Sequence, residues 1–319
     1  DAAPQLPSVA EMLDDFIERK ARTGKAANTI KNYRIAKNNF LQFKPAVTWE
    51  DITDELLEDF QYHLMNRDLN RKKGGKMVAQ AGMKNSTINT QIAKLKTMLK
   101  DRRVKQYLPD DSFEYFSPIP GRVGTKVYLT MHEIVKLEGG QFEPLTQKVV
   151  DQFLILFYTC QRFESLAFID PKRIDSTGWR YRSGKTKKLT FVPRVGFTET
   201  AFQIMERYQY RLPSIIEKTF NEHIKKACQQ VGITNEIIIE EWVNNTRKEY
   251  KAAKYTQVGS HTGRISGMTY LDGKVAPRVA QALGKHSKAE QTAYYQKVDE
   301  KRMIEELAKV PVSKLRKAE

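Results

Sequence analysis

The sequence has 319 residues, of which 54 are Lys or Arg and 38 are Asp or Glu, so its formal net charge is +16. This length allows two domains with separate cores, and a hydrophobic content of 40% is typical of a globular protein. The excess of positive charge favours a polyanionic partner, and nucleic acid is the first candidate.

Three protein classes are excluded by composition. No apolar run approaches the roughly 20 residues of a membrane span, and no signal segment opens the chain. The two cysteines, Cys160 and Cys228, are too few for a disulfide framework or a four-thiolate zinc site. We therefore expect a cytoplasmic protein that is not secreted and does not bind a membrane.

Helical periodicity dominates residues 1–110, which we predict to be one helical domain. Ser8 and Glu11 have the spacing of a capping box, and apolar positions recur at helical intervals as far as Ile17. Three further amphipathic helices are predicted to begin near Thr29, Asp51 and Ser86. Between the last two, residues 67–84 mix Lys and Arg with three glycines and are predicted to be a mobile basic loop.

A linker and a second domain follow. Residues 111–125 are rich in Pro and Gly, which is typical of a linker. Residues 126–300 contain one predicted β-hairpin, whose strands lie at Trp179 to Arg182 and at Leu189 to Val192. From about Thr198 the domain is predicted to be mostly helical, and residues 301–319 form a tail.

Two kinds of phosphate chemistry are disfavoured. The acidic pairs Asp110-Asp111 and Glu240-Glu241 have no His or carboxylate partner marked out by the sequence, as a metal-dependent nuclease would require. The tripeptide Gly184-Lys185-Thr186 lacks the spacing of a phosphate-binding loop and is not followed by a predicted helix. We expect neither a metal nor ATP.

The second domain instead contains the residue types that phosphate chemistry needs without a metal. Arg162 directly follows a strongly apolar predicted helix, and Lys185 lies in the hairpin turn. His261 and Arg264 are three residues apart, which places them on one helical face. His286 follows, and Tyr294 and Tyr295 come eight and nine residues later.

This order of motifs resembles the tyrosine recombinase (phage integrase) family, most closely the integrases of phages and conjugative transposons. Similar patterns there are Gly-x-Arg-x-x-Glu-Leu, a hairpin Lys-Thr ending in Pro, His-x-x-Arg, Leu-Gly-His and a final Tyr. The resemblance covers about residues 126–300, and the helical domain before it looks like a core-binding domain. It implies a mainly α fold with a small β-sheet, in which a SAM-like helical domain precedes a mixed α/β catalytic domain.

The resemblance also implies a role for each residue. Tyr295 would attack the scissile phosphate and form a 3′-phosphotyrosyl bond, while Arg162 and Arg264 would hold the non-bridging oxygens. Lys185 would be the general acid, His261 would take or orient the Tyr proton, and His286 would hydrogen-bond the phosphate. Because the phosphotyrosine conserves the bond energy, no cofactor is needed.

The sequence departs from the family pattern in three places. Ser165 stands where an acidic residue is usual, and Glu164 comes one position earlier. Gln161 stands where Leu or an equivalent is common, and Lys285 is inserted between Gly284 and His286. Since none of these changes removes a catalytic group, we expect the protein to be active.

The expected partner is double-stranded DNA with specific attachment or recombination sites. The resemblance implies a homo-tetramer on DNA, DNA-bending accessory proteins, and a prokaryotic nucleoid location. It also favours a tail that is exchanged between protomers, with packing of the tail on its own domain as the alternative. It also leads us to expect that an arm-binding amino-terminal domain is missing from a chain that starts at Asp1. Ten candidate DNA contacts are Lys31, Arg34, Lys37, Arg71, Lys72, Lys73, Lys76, Asn85, Thr87 and Asn89.

Two alternatives stay open on the sequence alone. A type IB topoisomerase shares the same Arg, Lys, His and Tyr chemistry, but the motif spacing and the short chain argue against it. A catalytically silent DNA-binding accessory protein of the same fold is kept open by the position of Glu164. Binding to DNA without a covalent adduct would favour that second alternative.

Overall fold

The computed structural model describes residues 6–73, 76–122, 124–182, 189–272, 274–284, 303–304 and 307–310. The described chain divides into two compact units. The first comprises residues 1–125 and 239–250, and the second comprises residues 126–238 and 251–319. Within these described ranges, no helix combines the length and the apolar character that crossing a membrane requires.

The first unit is built on helices. Ser8 and Glu11 form the predicted capping box, in which the Ser8 N–H donates to the Glu11 carboxylate at 2.8 Å. The apolar helix faces meet in one core that includes Leu13, Phe40 and Phe60. The helices are α1 (Val9–Arg22), α2 (Ala27–Phe43), α3 (Asp54–Asn66), α4 (Asn85–Leu99) and the short α5 (Arg102–Lys105). The four helices predicted for this region are confirmed.

The prediction of a loop at residues 67–84 is wrong. Strands β1 (Asp68–Lys73) and β2 (Lys76–Ala81) pair antiparallel, with Asp68 opposite Ala81 and Lys73 opposite Lys76. Gly74 and Gly75, between the two strands, lie outside the described residues. The strands escaped prediction because backbone pairing, rather than alternation of apolar residues, defines them.

A second unpredicted hairpin contributes to the first unit. Strands β6 (Glu236–Val243) and β7 (Thr246–Ala253) pair antiparallel, within the stretch from Thr198 that was predicted to be mostly helical and whose described residues also hold four helices. Asn244 and Asn245 have φ values of 51° and 52°, as both central residues of a type I′ turn require. Residues 239–250 of this hairpin belong to the first unit, where Lys84 pairs with Glu241 at 2.7 Å.

The predicted linker begins inside the first unit. Residues Ser112–Glu114 form a 3-10 turn, and Phe113 and Phe116 are buried in the core of that unit. The Pro- and Gly-rich composition of this stretch therefore does not mark an extended linker along its whole length, because its first residues are packed in the core of the first unit. The two compact units divide between Thr125 and Lys126.

The second unit surrounds one buried helix, α7. Pro144 at the first position favours its start, and most of its residues from Val149 to Thr159 are buried. Besides α7 (Pro144–Thr159), the helices of this unit are α6 (Met131–Glu138), α8 (Glu199–Arg207), α9 (Glu217–Gln230), α10 (Ser260–Leu271) and α11 (Pro277–Gly284).

A three-stranded sheet completes the second unit, with the order β3 (Ile174–Asp175), β4 (Gly178–Arg182) and β5 (Leu189–Pro193). Strands β4 and β5 form the predicted hairpin, with Trp179 opposite Val192. From the tail, Met303, Leu307 and Val310 are buried in the core of this same unit. Exchange of the tail between protomers stays a prediction about an assembly.

Candidate active site

Arg162 lies in a turn that begins where helix α7 ends. Cys160 terminates the helix with φ 54° and ψ 23°, the left-handed conformation that favours Gly. Cys160 thus stands where the family pattern has Gly. Arg162 then adopts an extended conformation and precedes a 3-10 turn, Phe163–Phe168. The half-buried guanidinium of Arg162 therefore follows directly on the buried helix.

Helix α10 carries His261 and Arg264 and lies unusually close to α7. A Cβ added to Gly263 would lie 3.0 Å from the carbonyl oxygen of Phe153. A Cβ on Gly267 would overlap the carbonyl oxygen of Phe157 and lie 2.9 Å from Sγ of Cys160. Two glycines four residues apart therefore allow the backbones of the two helices to approach each other.

This close approach buries Arg264, whose residue surface is only 2% exposed. Its Nη1 donates to the carbonyl oxygen of Cys160 at 2.7 Å, and its Nη2 donates to the carbonyl oxygen of Gly284. Burial, followed by the positive charge of Arg162, lowers the pKa of Arg264 to about 10. Arg264 is thus charged at neutral pH and anchors two segments of backbone.

His261 lies in the first turn of α10, where its residue is exposed. Two side chains of α9 fix this turn: Asn221 Oδ1 accepts from the Ser260 N–H at 2.7 Å, and the Ser260 hydroxyl donates to Glu217 at 2.6 Å. The N-terminal turn of a helix also presents N–H groups that favour an anion.

The hydrogen bond from Arg264 to the Cys160 carbonyl places helix α10, which also carries His261, beside the turn that contains Arg162. Partial desolvation of the His261 ring lowers its pKa from 6.5, and the charges of Arg264 and Arg162 add to this effect. At neutral pH the imidazole is therefore uncharged and able to accept a proton. Among the described residues, neither guanidinium has a carboxylate within salt-bridge distance. Arg162 is half-buried, whereas Arg264 is buried and both of its Nη atoms donate to backbone carbonyls.

Two of the departures from the family pattern meet in one buried network. The hydroxyl of Tyr181, on β4, hydrogen-bonds Gln161 Oε1 at 2.7 Å and Ser165 Oγ at 2.8 Å. Gln161 Nε2 donates to the carbonyl oxygen of Leu283 at 2.7 Å. Glu164, by contrast, is exposed.

Three predicted catalytic residues, Lys185, His286 and Tyr295, lie outside the described residues. The described chain reaches Arg182 and Leu189 on either side of the hairpin turn, and it reaches Gly284 at the end of α11. In the part of the chain that is described, no group of three or more His, Cys, Asp or Glu side chains could hold a metal ion.

The candidate DNA contacts of the first unit fall into three groups. Lys31 and Arg34 are exposed on α2, whereas Lys37 is half-buried and pairs with Asp14 at 2.5 Å. The backbone of Arg71, Lys72, Lys73 and Lys76 lies in β1 and β2.

The third group lies on α4. Thr87 borders a groove between α2 and α4 that is lined by Asn32, Ile35, Ser86, Thr87, Thr90 and Gln91. Asn89 donates to the carbonyl oxygen of Ile119 at 2.8 Å. Asn85 is 1% exposed, and its Oδ1 accepts from the Asn245 N–H at 3.0 Å, so its amide serves packing inside the unit.

Comparisons with known proteins identify the fold. Residues 8–118 match the family model of the phage integrase SAM-like domain. Three solved structures superimpose on most of the chain. A lambda integrase tetramer bound to a Holliday junction gives a TM-score of 0.64 at 12% identity, with 92% of this chain and 81% of that chain covered.

The other two structures give similar values. A lambda integrase dimer bound to a COC′ core site gives a TM-score of 0.62 at 13% identity, with 92% of this chain and 100% of that chain covered. The Tn1549 transposon integrase in complex with circular intermediate DNA gives a TM-score of 0.60 at 15% identity, with 89% of this chain and 94% of that chain covered. The chain has the tyrosine recombinase (phage integrase) fold.

The resemblance inferred from the motifs and the predicted fold class are thereby confirmed. At these identities the superpositions establish the fold of the chain. The roles of individual residues stay proposals. No curated protein matches the sequence.

Sequence reasoning missed the residues that support the site. Gly263 and Gly267 have the spacing of small residues at a close helix contact, which is a readable signal. Tyr181 carries no such signal, because its partners Gln161 and Ser165 lie 20 and 16 residues away and meet it only in the folded chain.

Proposed function

We propose that the protein is a site-specific tyrosine recombinase that integrates or excises a mobile element by cutting and rejoining DNA strands. The observation that carries this proposal is the convergence of Arg162, His261 and Arg264 in a recombinase fold. Two guanidiniums without described carboxylate partners beside a neutral imidazole suit a phosphodiester, whose non-bridging oxygens need cations and whose nucleophile must lose a proton.

In the proposed reaction the hydroxyl oxygen of Tyr295 attacks the scissile phosphorus, and His261 accepts or orients its proton. Arg162 and Arg264 hold the non-bridging oxygens, His286 hydrogen-bonds the phosphate, and Lys185 protonates the departing 5′-oxygen. The products are a 3′-phosphotyrosyl bond and a free 5′-hydroxyl. A 5′-hydroxyl from another strand then attacks this bond, releases Tyr295 and restores the phosphodiester, so that no metal, ATP or other cofactor is consumed.

The proposed substrate is double-stranded DNA with specific attachment sites. Lys31 and Arg34 on α2 and the basic strands β1 and β2 would contact phosphates, and Thr87 at the groove between α2 and α4 would contact bases. The lambda integrase neighbour is a tetramer bound to a Holliday junction. This supports assembly of four copies of the present chain on DNA, with accessory bending proteins as a further expectation and a nucleoid-associated location as its consequence.

A suicide-substrate assay tests this function on a DNA sequence that the protein itself selects. Duplexes bound by the protein are first isolated from a library with a randomised central segment, and the selected sequence is rebuilt with a nick beside the scissile phosphate. Wild type, Tyr295→Phe and Tyr294→Phe are then compared on a denaturing gel in the presence of chelator.

A covalent protein–DNA band is expected for wild type and Tyr294→Phe, and none is expected for Tyr295→Phe. Binding of the selected duplex without any tyrosine-dependent band would overturn the catalytic proposal in favour of a silent DNA-binding protein.

A further inference from the structure

The hydroxyl of Tyr181 is the centre of a buried network beside the Arg162 turn. Because a phenol carries one proton and the amide oxygen of Gln161 can only accept, Tyr181 donates to Gln161 and accepts from Ser165. Burial raises the pKa of Tyr181, so the hydroxyl keeps its proton at neutral pH. The donor in this network is therefore permanent across the physiological range.

The network holds the backbone on both sides of Arg162. Gln161 precedes Arg162 and donates from Nε2 to the carbonyl oxygens of Thr159, at 2.9 Å, and Leu283, at 2.7 Å. Ser165 follows it, and the Ser165 N–H donates to the carbonyl oxygen of Arg162 at 2.8 Å. The direction of the Arg162 side chain is thus set by a turn that is tied to β4 and to the end of α11.

All of these groups are neutral. The family pattern has an acidic residue at position 165, which would pair with a guanidinium and cancel part of its charge. Here Ser165 leaves Arg162 and Arg264 without a carboxylate partner among the described residues, and backbone carbonyls alone bind Arg264. Hydrogen bonds between neutral groups can fix a turn without reducing the positive charge offered to a phosphate.

We propose that Tyr181 is a positioning residue, which with Gln161 and Ser165 replaces the usual carboxylate by a neutral network that fixes the Arg162 turn. The inference deepens the proposed function and rests on it. Tyr181 does not contact the substrate; it acts through Arg162.

The ring of Tyr181 makes a precise test feasible. It stacks on Trp179 with a centroid distance of 4.3 Å and on Phe168 at 5.5 Å. Tyr181→Phe keeps this packing and removes only the hydroxyl. Tyr270→Phe is the matched control, because Tyr270 is a partly buried residue of the same unit whose ring packs on Phe197 and whose hydroxyl has no hydrogen bond among the described residues.

The experiment measures single-turnover formation of the covalent complex on two nicked probes of the selected sequence. One has an ordinary scissile phosphate, and the other has a methylphosphonate, which lacks one charged non-bridging oxygen. On the ordinary phosphate we expect Tyr181→Phe to slow cleavage about 10-fold to 100-fold, the range in which a misplaced catalytic group acts. We expect DNA affinity to stay close to that of Tyr270→Phe and Tm to fall modestly below it, because Gln161 Oε1 and the Ser165 hydroxyl lose a buried partner.

The methylphosphonate probe separates positioning from general structural damage. Because one charged oxygen is gone, correct placement of Arg162 matters less, and the difference between Tyr181→Phe and wild type should shrink to about threefold or less. Equal slowing on both probes, or no slowing on either, would overturn the inference. If Tyr181→Phe lowers Tm well below the control, Ser165→Ala replaces it with the same expected pattern and the same contrary outcomes.

The wild-type reaction distinguishes the proposed function from the positioning role. Wild type that forms no covalent complex on either probe overturns the proposed function and the inference together. Active wild type with an equally active Tyr181→Phe overturns the inference alone.

Discussion

Arg264 donates from Nη1 to the carbonyl oxygen of Cys160 at 2.7 Å, so a buried guanidinium on α10 holds the turn from which Arg162 projects. The two residues that this bond joins are 104 positions apart in sequence. Arg264 therefore stabilises the fold through backbone carbonyls, and the proposed function gives it a second task, which is to offer positive charge to the phosphate. Arg162 is half-buried and has no described side-chain hydrogen bond, which leaves it the second task alone.

The first prediction separates these tasks by comparing Arg162→Lys with Arg264→Lys. Each variant should lose about 10²-fold to 10³-fold in single-turnover cleavage, because a lysine cannot hold two oxygens as the guanidinium fork does. In urea denaturation, only Arg264→Lys should lower the free energy of unfolding, by about 1–3 kcal/mol, since buried carbonyls lose their donors. Equal stability losses in the two variants would contradict this division.

The second prediction concerns pH and His261. Its pKa lies below 6.5 in the folded protein, so the unfolded chain binds the proton more readily. The stability linked to this group is therefore complete above pH 6.5 and is lost as the pH falls through the lower folded value. In a plot of cleavage rate against pH, the decrease of the rate on the acidic side (the acidic limb) should likewise lie below pH 6.5.

His261→Gln provides the control for both readouts. Its unfolding free energy should decline less than that of wild type as the solution is acidified, and its cleavage should lose the acidic limb. A wild-type limb above the ordinary histidine pKa would show that His261 does not control the proton.

The third prediction tests the contact of α10 with α7. Gly267→Ala introduces a Cβ that overlaps the Phe157 carbonyl oxygen, so we expect a loss of about 3 kcal/mol or more in unfolding free energy. Gly139→Ala is the control, because its nearest contact beyond its neighbours is the Val135 carbonyl oxygen at an ordinary 3.5 Å. Similar thermal denaturation of both variants would contradict the close approach.

Helices were predictable from the sequence wherever an apolar face had to be buried. The capping box at Ser8 and the amphipathic stripes of α1 to α4 are local signals, and the structure confirms them. The hairpin of β6 and β7 was not predictable in this way. Residues Thr246–Lys251 of β7 are exposed, so no alternation of apolar residues marks the strand.

The candidate site, too, contains residues that local sequence signals predict and residues that such signals do not predict. The motifs led to Arg162, His261 and Arg264 because each has a characteristic local spacing, and the fold brings these three together. The network around Tyr181 could not be predicted, since the Leu283 carbonyl that Gln161 binds is 122 positions away in sequence. Asn85 illustrates the converse: a polar residue among candidate DNA contacts is used for internal packing.

The fourth prediction addresses DNA binding by the first unit. Replacing both Lys31 and Arg34 by Ala should weaken binding of the selected duplex and of unrelated duplexes alike, and should reduce the slope of log K against log salt by about 2. Lys100→Ala is the control. Lys100 follows the last residue of α4, away from the groove that the start of α4 forms with α2, and it pairs with Glu114 at 2.6 Å. An unchanged salt slope in the double variant would remove these residues from the interface.

The most direct test of the proposed mechanism is the identity of the amino acid that becomes linked to DNA. The covalent complex trapped on the nicked probe in chelator is digested with nuclease and protease, and the nucleotide-bearing peptide is sequenced by mass spectrometry. We expect a nucleotide joined through its 3′-phosphate to Tyr295. A linkage to Tyr294 or to any other residue, or a linkage through a 5′-phosphate, would contradict the mechanism.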